Sequence, residues 1–162
     1  LSDNDGWLAA WVWLDTLTGG TFPTIAGKTS STIGNHEYGL QLTGSTGTIS
    51  FFTGGATQRT ATSVTTIATG AWRFVIGYHD AVNDLVGVSI DGGAFVTGAT
   101  SGTAPPDSAS AFRIGARGPT PDRYWPGRID AVMFGKSPPG GIAGVITSIR
   151  DALWAGGAGL SL

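Results

Sequence analysis

The chain has 162 residues and 41% hydrophobic content, enough for one sizeable core and with no call for a second domain. Charged residues make up only 12%, against 27 glycines, a balance that suits short strands and tight turns over long solvated helices. The formal net charge is -2 and the nine basic residues are scattered from Lys28 to Arg150, so no cationic stripe faces a run of phosphates and nucleic acid is not an expected partner.

Cysteine is absent, which removes disulfides, thiolate metal sites and thiol nucleophiles. The longest purely apolar run, Trp7 to Leu14, falls far short of the roughly 18 residues of a membrane span, so no membrane insertion is expected. The sequence begins at Leu1 with no initiator methionine, basic n-region or apolar h-region. Residues 1–162 are accordingly expected to be one domain of a longer protein.

Apolar alternation with a period of two recurs along the chain, broken by Gly, Thr, Ser and Asn clusters. In chain order it predicts strands over Trp7–Asp15, Phe22–Lys28, Glu37–Thr43, Thr48–Thr53, Ala71–His79, Leu85–Asp91, Ala94–Gly98, Ala111–Arg117 and Arg128–Lys136. Gly44-Ser45-Thr46-Gly47 and Asp91-Gly92-Gly93 are short enough to close hairpins, which pairs the third strand with the fourth and the sixth with the seventh. Pro23 sits near a strand start, where a missing donor is tolerated, while Pro105-Pro106 and Pro138-Pro139 mark loops. Ile142, Val145, Ile146, Ile149 and Leu153 follow helical spacing and predict one short helix before Trp154.

Several blocks, in this order and spacing, resemble the laminin-G-like family of concanavalin-A-like jelly rolls. Ala10-Trp11-Val12-Trp13-Leu14-Asp15 resembles its early Ala-Trp-Val strand, Thr24-Ile25-Ala26-Gly27-Lys28 its second strand and Tyr38-Gly39-Leu40 its third. Gly70-Ala71-Trp72-Arg73-Phe74-Val75 stands where the family has Gly-x-Trp-His-His-Val, and Asp80 where it has Tyr-Asp, with His79 in place of the tyrosine. Val88-Ser89-Ile90-Asp91-Gly92 resembles the Val-Asp-Gly turn. Ile114-Gly115-Ala116-Arg117 and Trp125-Pro126-Gly127-Arg128-Ile129-Asp130 resemble the closing strands. The resemblance covers most of the chain and implies an all-β antiparallel sandwich with one short C-terminal helix. Family domains usually carry a strand before the Ala-Trp-Val strand, and only Leu1–Gly6 stands there; the terminal Gly156–Leu162 or upstream sequence is expected at that edge.

On the first strand Leu8, Ala10, Val12 and Leu14 form one face and Trp7, Ala9, Trp11, Trp13 and Asp15 the other. The tryptophans either lie beneath the helix, whose apolar stripe needs a partner, or form a platform for sugar rings. Burial under the helix is preferred for Trp11 and Trp13, with Trp7 as the exposed member. Trp72 and Trp125 are expected to be packed.

Asp122, Arg123 and Tyr124, in a Pro-flanked loop, join an acid, a fork-shaped donor and an aromatic; with Trp7 and His36 they form the candidate ligand-binding set, against the alternative of an ordinary solvated loop. Asp3, Asp5 and Gly6 resemble half of a calcium loop, but counting from Gly6 puts Leu1 and Val12 at the end ligand positions, which rules out an EF-hand. The resemblance implies one calcium ion at a sandwich rim with Asp130 as its ligand; the alternative makes Asp130 a hydrogen-bonded structural carboxylate.

His36 and His79 are the only histidines and Glu37 the only glutamate. The strands carry no closely spaced acidic pair, and no Gly-x-Ser-x-Gly elbow exists, so no catalytic residues are assigned and a glycoside hydrolase is the disfavoured reading. The preferred one is a non-catalytic recognition module, carbohydrate-binding by analogy, in a larger secreted, cell-surface or bacteriophage virion protein. The alternative is a virion structural, decoration or adhesion domain whose faces meet a neighbouring virion or surface protein.

Overall fold

A computed structural model describes residues 6–17, 19, 21–30, 32, 35–44, 46–55, 57–99, 105–118, 122–136, 142 and 144–157. Asp3 and Asp5, the Pro138-Pro139 loop and the last five residues lie outside this set. Ten strands and one helix follow in order: β1 Gly6–Leu14, β2 Thr24–Lys28, β3 Tyr38–Thr43, β4 Thr48–Thr53, β5 Arg59–Thr66, β6 Trp72–Asp80, β7 Leu85–Ile90, β8 Val96–Ala99, β9 Phe112–Ile114, β10 Gly127–Lys136 and α1 Ile146–Trp154.

They form two antiparallel five-stranded sheets, β10-β1-β6-β7-β8 and β5-β4-β3-β2-β9, packed face to face. Both expected hairpins form: β3 pairs β4 from Tyr38↔Thr53 to Thr43↔Thr48, and β7 pairs β8 through Val86↔Gly98 and Val88↔Val96. The core between the sheets takes the aliphatic face of β1 (Leu8, Ala10, Val12, Leu14) with Leu40, Leu42, Ile49 and Phe51 from the second sheet. Along one margin β8 runs hard against β5, where a Cβ at Gly98 would sit 2.2 Å from the Thr60 carbonyl oxygen. Along the other, Phe112 of β9 and Phe134 of β10 approach to 5.6 Å between ring centroids.

Strand β5 was not foreseen in the alternation. Its inward positions are Arg59, Ala61 and Ser63, all buried, while its one large apolar side chain, Val64, is 83% exposed. The hydrophobic signal that marks the other strands is inverted here, because β8 crosses close above and leaves room only for small side chains beside Arg59.

The helix forms where its apolar spacing predicts and packs on the outer face of the first sheet. Ile142 and Ile146 are buried there with Ala9, Phe74, Ile76 and Tyr78, and Trp7, Trp11, Ile149, Leu153 and Trp154 pack around them as a second core. Arg150 pins it to the β7–β8 turn, donating from Nη1 to the Gly93 carbonyl at 2.7 Å while its guanidinium lies 5.4 Å from the Phe95 ring centroid. Gly92 (φ 70°) completes the seat: a Cβ there would stand 2.4 Å from Trp154 Cδ1, so the turn needs glycine for its backbone and for the indole above it.

Candidate functional site

The loop between β9 and β10 folds back over the edge of the second sheet. Arg117 and Asp122 form an isolated bridge and a two-pronged ion pair, Nε to Oδ1 at 2.9 Å and Nη2 to Oδ2 at 2.7 Å. That hydrogen bonding holds the Asp122 carboxyl below its ordinary range, against the opposing effect of desolvation. Arg123, at φ 49°, accepts the Thr24 amide hydrogen on its carbonyl and lays its guanidinium 5.3 Å from the Phe22 ring centroid. Tyr124 is 64% exposed and Phe22 37%.

His36 stands behind this loop. It is 5% exposed, its Nδ1 accepts the Ser30 amide hydrogen at 3.1 Å, and its ring meets Phe52 edge-on at 5.4 Å. Burial, with Arg117 and Arg123 nearby, pulls its pKa down to about 4. The neutral ring is thus a strut beneath the two arginines, with little surface of its own for a ligand. The sequence reading placed Asp122, Arg123 and Tyr124 together but missed Arg117 and Phe22. The short step back from Asp122 to Arg117 across a loop, and the Phe22-Pro23 entry to β2, were the available signals.

On the outer face of the first sheet the tryptophans divide. Trp11 is covered: Trp154 stacks on it at 5.5 Å with 22° between planes, and Phe74 lies at 5.6 Å. Trp7 packs into the same second core, and a Cβ at Gly135 would touch its indole at 2.8 Å. Trp7 is thus half-buried, as are Trp11 and Trp13, and is not the exposed member of the stripe. Trp13 is not covered by the helix as expected, and Trp72, expected to be packed, is 41% exposed beside it. Trp125 does pack, at 7% exposure, donating its Nε1 hydrogen to the Trp13 carbonyl at 3.1 Å.

Asp130 is exposed, at a bulge where Ala9↔Met133 gives way to Trp11↔Asp130. Its Oδ1 accepts the Ala131 amide hydrogen at 2.7 Å, which supports the left-handed Ala131 (φ 46°). Among the described residues no three His, Asp or Glu side chains gather to hold a metal ion, so those residues build no cage around Asp130. Glu37, immediately before β3, is buried and ion-paired to Lys28 Nζ at 2.7 Å. His79 is fully buried with its Nε2 3.2 Å from Arg59 Nη1, and Arg59 in turn reaches Asp84 at 2.6 Å.

A family model described as the concanavalin A-like lectin/glucanases superfamily, of laminin-G-like type, matches residues 1–137. No curated protein sequence matches the chain. Among solved structures, domain 4 of AbnA, a GH43 extracellular arabinanase from Geobacillus stearothermophilus in complex with arabinotriose, is 19% identical with a TM-score of 0.63, covering 92% of this chain and 66% of that one. The Ruminococcus gnavus IT-sialidase CBM40 bound to α2,3 sialyllactose has a TM-score of 0.68 at 11% identity, over 91% of this chain and 82% of that one. Mouse laminin α1 chain domains LG4-5 give 0.62 at 15% identity, over 82% of this chain and 36% of that one. The chain thus spans less than two thirds of the length of the first and third of these structures.

Proposed function

Because this chain belongs to the concanavalin A-like lectin/glucanases superfamily, we propose that it is a non-catalytic carbohydrate-binding module of a larger extracellular or surface protein. One observation carries the reading: the Arg117–Asp122 fork stands beside Arg123 on Phe22 and the exposed Tyr124. Sugar hydroxyls need donors and acceptors held in fixed geometry, and sugar C–H faces need an apolar ring; this rim presents both. The solved structures with arabinotriose and sialyllactose are similar in fold and support the same class of ligand. The module is read as non-catalytic because its one glutamate is spent on Lys28, whereas glycoside hydrolysis asks for two carboxylates flanking the bond, about 5–9.5 Å apart.

A second reading, a virion or surface domain meeting a protein neighbour, is favoured by Ile114 (55% exposed) and Phe134 (66% exposed) on the β9–β10 margin. A glycan array on the 162-residue chain separates the two. The carbohydrate reading expects binding to at least one glycan, weakened about tenfold or more by the double variant Arg123→Ala/Tyr124→Ala with folding intact. A chain that binds no glycan sinks that reading.

A further inference from the structure

We propose a second sugar-binding place, distinct from the loop rim: an aromatic notch formed by Trp13 and Trp72, edged by Arg128 and Asp15, that takes a neutral hexopyranose. The inference rests on the carbohydrate-binding reading above and adds to it a site and a ligand class.

The notch follows from strand register. Trp13 of β1 lies opposite Trp72 of β6 on one side and Arg128 of β10 on the other, so the three side chains form one row on the outer face of the first sheet. Two residues earlier, Trp11 and Phe74 form the row beneath Trp154, and there the helix stops at the left-handed Ala155 (φ 45°). The covered surface therefore ends one row short of Trp13 and Trp72. Four of the six tryptophans of the chain, Trp7, Trp11, Trp13 and Trp72, stand on this face, and Trp154 of the helix covers it; the second core takes only Trp7, Trp11 and Trp154.

The geometry points to a ring-shaped, hydroxylated occupant. Trp13 and Trp72 meet edge to face, centroids 6.0 Å apart and planes at 65°, so their rings form a corner and not a flat pair. Arg128 lies 5.2 Å from the Trp13 ring centroid, leaving the exposed ring of Trp72 as the stacking surface. Asp15 Oδ1 accepts the Trp13 Nε1 hydrogen at 2.9 Å, which fixes the indole and leaves other carboxylate lone pairs as acceptors. One cation and one anion border the notch, so their charges balance and favour a neutral ligand over an acidic one. A pyranose offers an axial C–H face to the indole and equatorial hydroxyls to Arg128 and Asp15.

Gluco-, manno- and galacto-hexaoses serve as probes, titrated by calorimetry against the unsubstituted chain, Trp72→Ala, Trp72→Phe, Arg128→Ala and Val82→Ala. The expected result is binding of at least one hexaose that Trp72→Ala and Arg128→Ala weaken, the former about tenfold or more, that Trp72→Phe restores in part, and that Val82→Ala, an exposed change in the β6–β7 turn, leaves unchanged. Because Trp72 is 41% exposed, the Trp72→Ala melting temperature should stay close to that of the parent, and the melt is measured alongside. Full affinity of a folded Trp72→Ala for every hexaose overturns the notch and leaves the carbohydrate reading standing if the array is positive. No glycan bound by the unsubstituted chain on the array overturns both.

Discussion

Trp154 of the helix stacks on Trp11 of β1, ring centroids 5.5 Å apart and planes inclined by 22°. The pair closes the second core over Phe74 and Ile76, so a helix with no side-chain N-cap bond is held in place chiefly by its apolar face. Trp11→Ala is expected to cost about 3–5 kcal/mol and to lower helix content, since it removes the floor on which α1 rests. Trp154→Ala should do much the same, and a double-mutant cycle should show about 0.5–1.5 kcal/mol of coupling. Urea melts followed by circular dichroism check this; a Trp11→Ala protein with parent stability would show that the helix is anchored elsewhere.

Gly77 lies where the two sheets touch. A Cβ there would come within 2.3–2.4 Å of three atoms of Phe51, itself fully buried. Gly77→Ala should therefore destabilise by about 1–3 kcal/mol through overpacking, whereas Gly144→Ala, whose added Cβ would meet nothing within 4 Å, should change stability little. Thermal melts of the two variants decide it, and parent stability in Gly77→Ala would count against the close contact.

The buried His36 makes stability depend on pH. Its ordinary pKa is 6.5, which applies in the unfolded chain, and burial with Arg117 and Arg123 lowers it to about 4 when folded. Above pH 6.5 neither state is protonated and the contribution is complete. As pH falls from 6.5 towards 4 the unfolded chain takes up a proton that the folded ring refuses, so stability drops by up to about 3 kcal/mol. Below that window the loss levels off. Chemical denaturation from pH 7.5 to 4 should show this slope in the parent and lose most of it in His36→Gln; equal slopes in both would assign the effect to other groups.

Asp130→Ala is expected to lower stability by about 1 kcal/mol, the value of a hydrogen bond that supports a left-handed alanine. The melting temperature is compared in chelator and in calcium. The same drop in both conditions fits the bulge-holding role. A rise of the parent with calcium that the variant lacks would instead assign Asp130 the rim ion implied by the family resemblance.

Much of the fold was legible because burial imposes a period. Leu8, Ala10, Val12 and Leu14 alternate with Trp7, Ala9, Trp11 and Trp13, and that pattern alone orients β1 between two apolar environments. Ile142, Ile146, Ile149 and Leu153 mark the helix face, and the glycine turns set two hairpins. The ordered Trp, Gly and Asp blocks carried the family, which the match over residues 1–137 bears out. These features are local, and local spacing is what a sequence displays directly.

Tertiary structure decided the rest. Strand β5 exists because β4 offers it a partner edge and β8 closes over it, even though Val64 points outward and Arg59 inward. Arg117 and Arg123 come to bear on His36, some eighty residues earlier in the chain, only because the β9–β10 loop folds back across the second sheet. Trp11 and Trp13 are chemically the same side chain on the same face of one strand. Which is covered depends on where the helix ends, and that length is set by packing against Phe74 and Gly92, not by any property of either tryptophan.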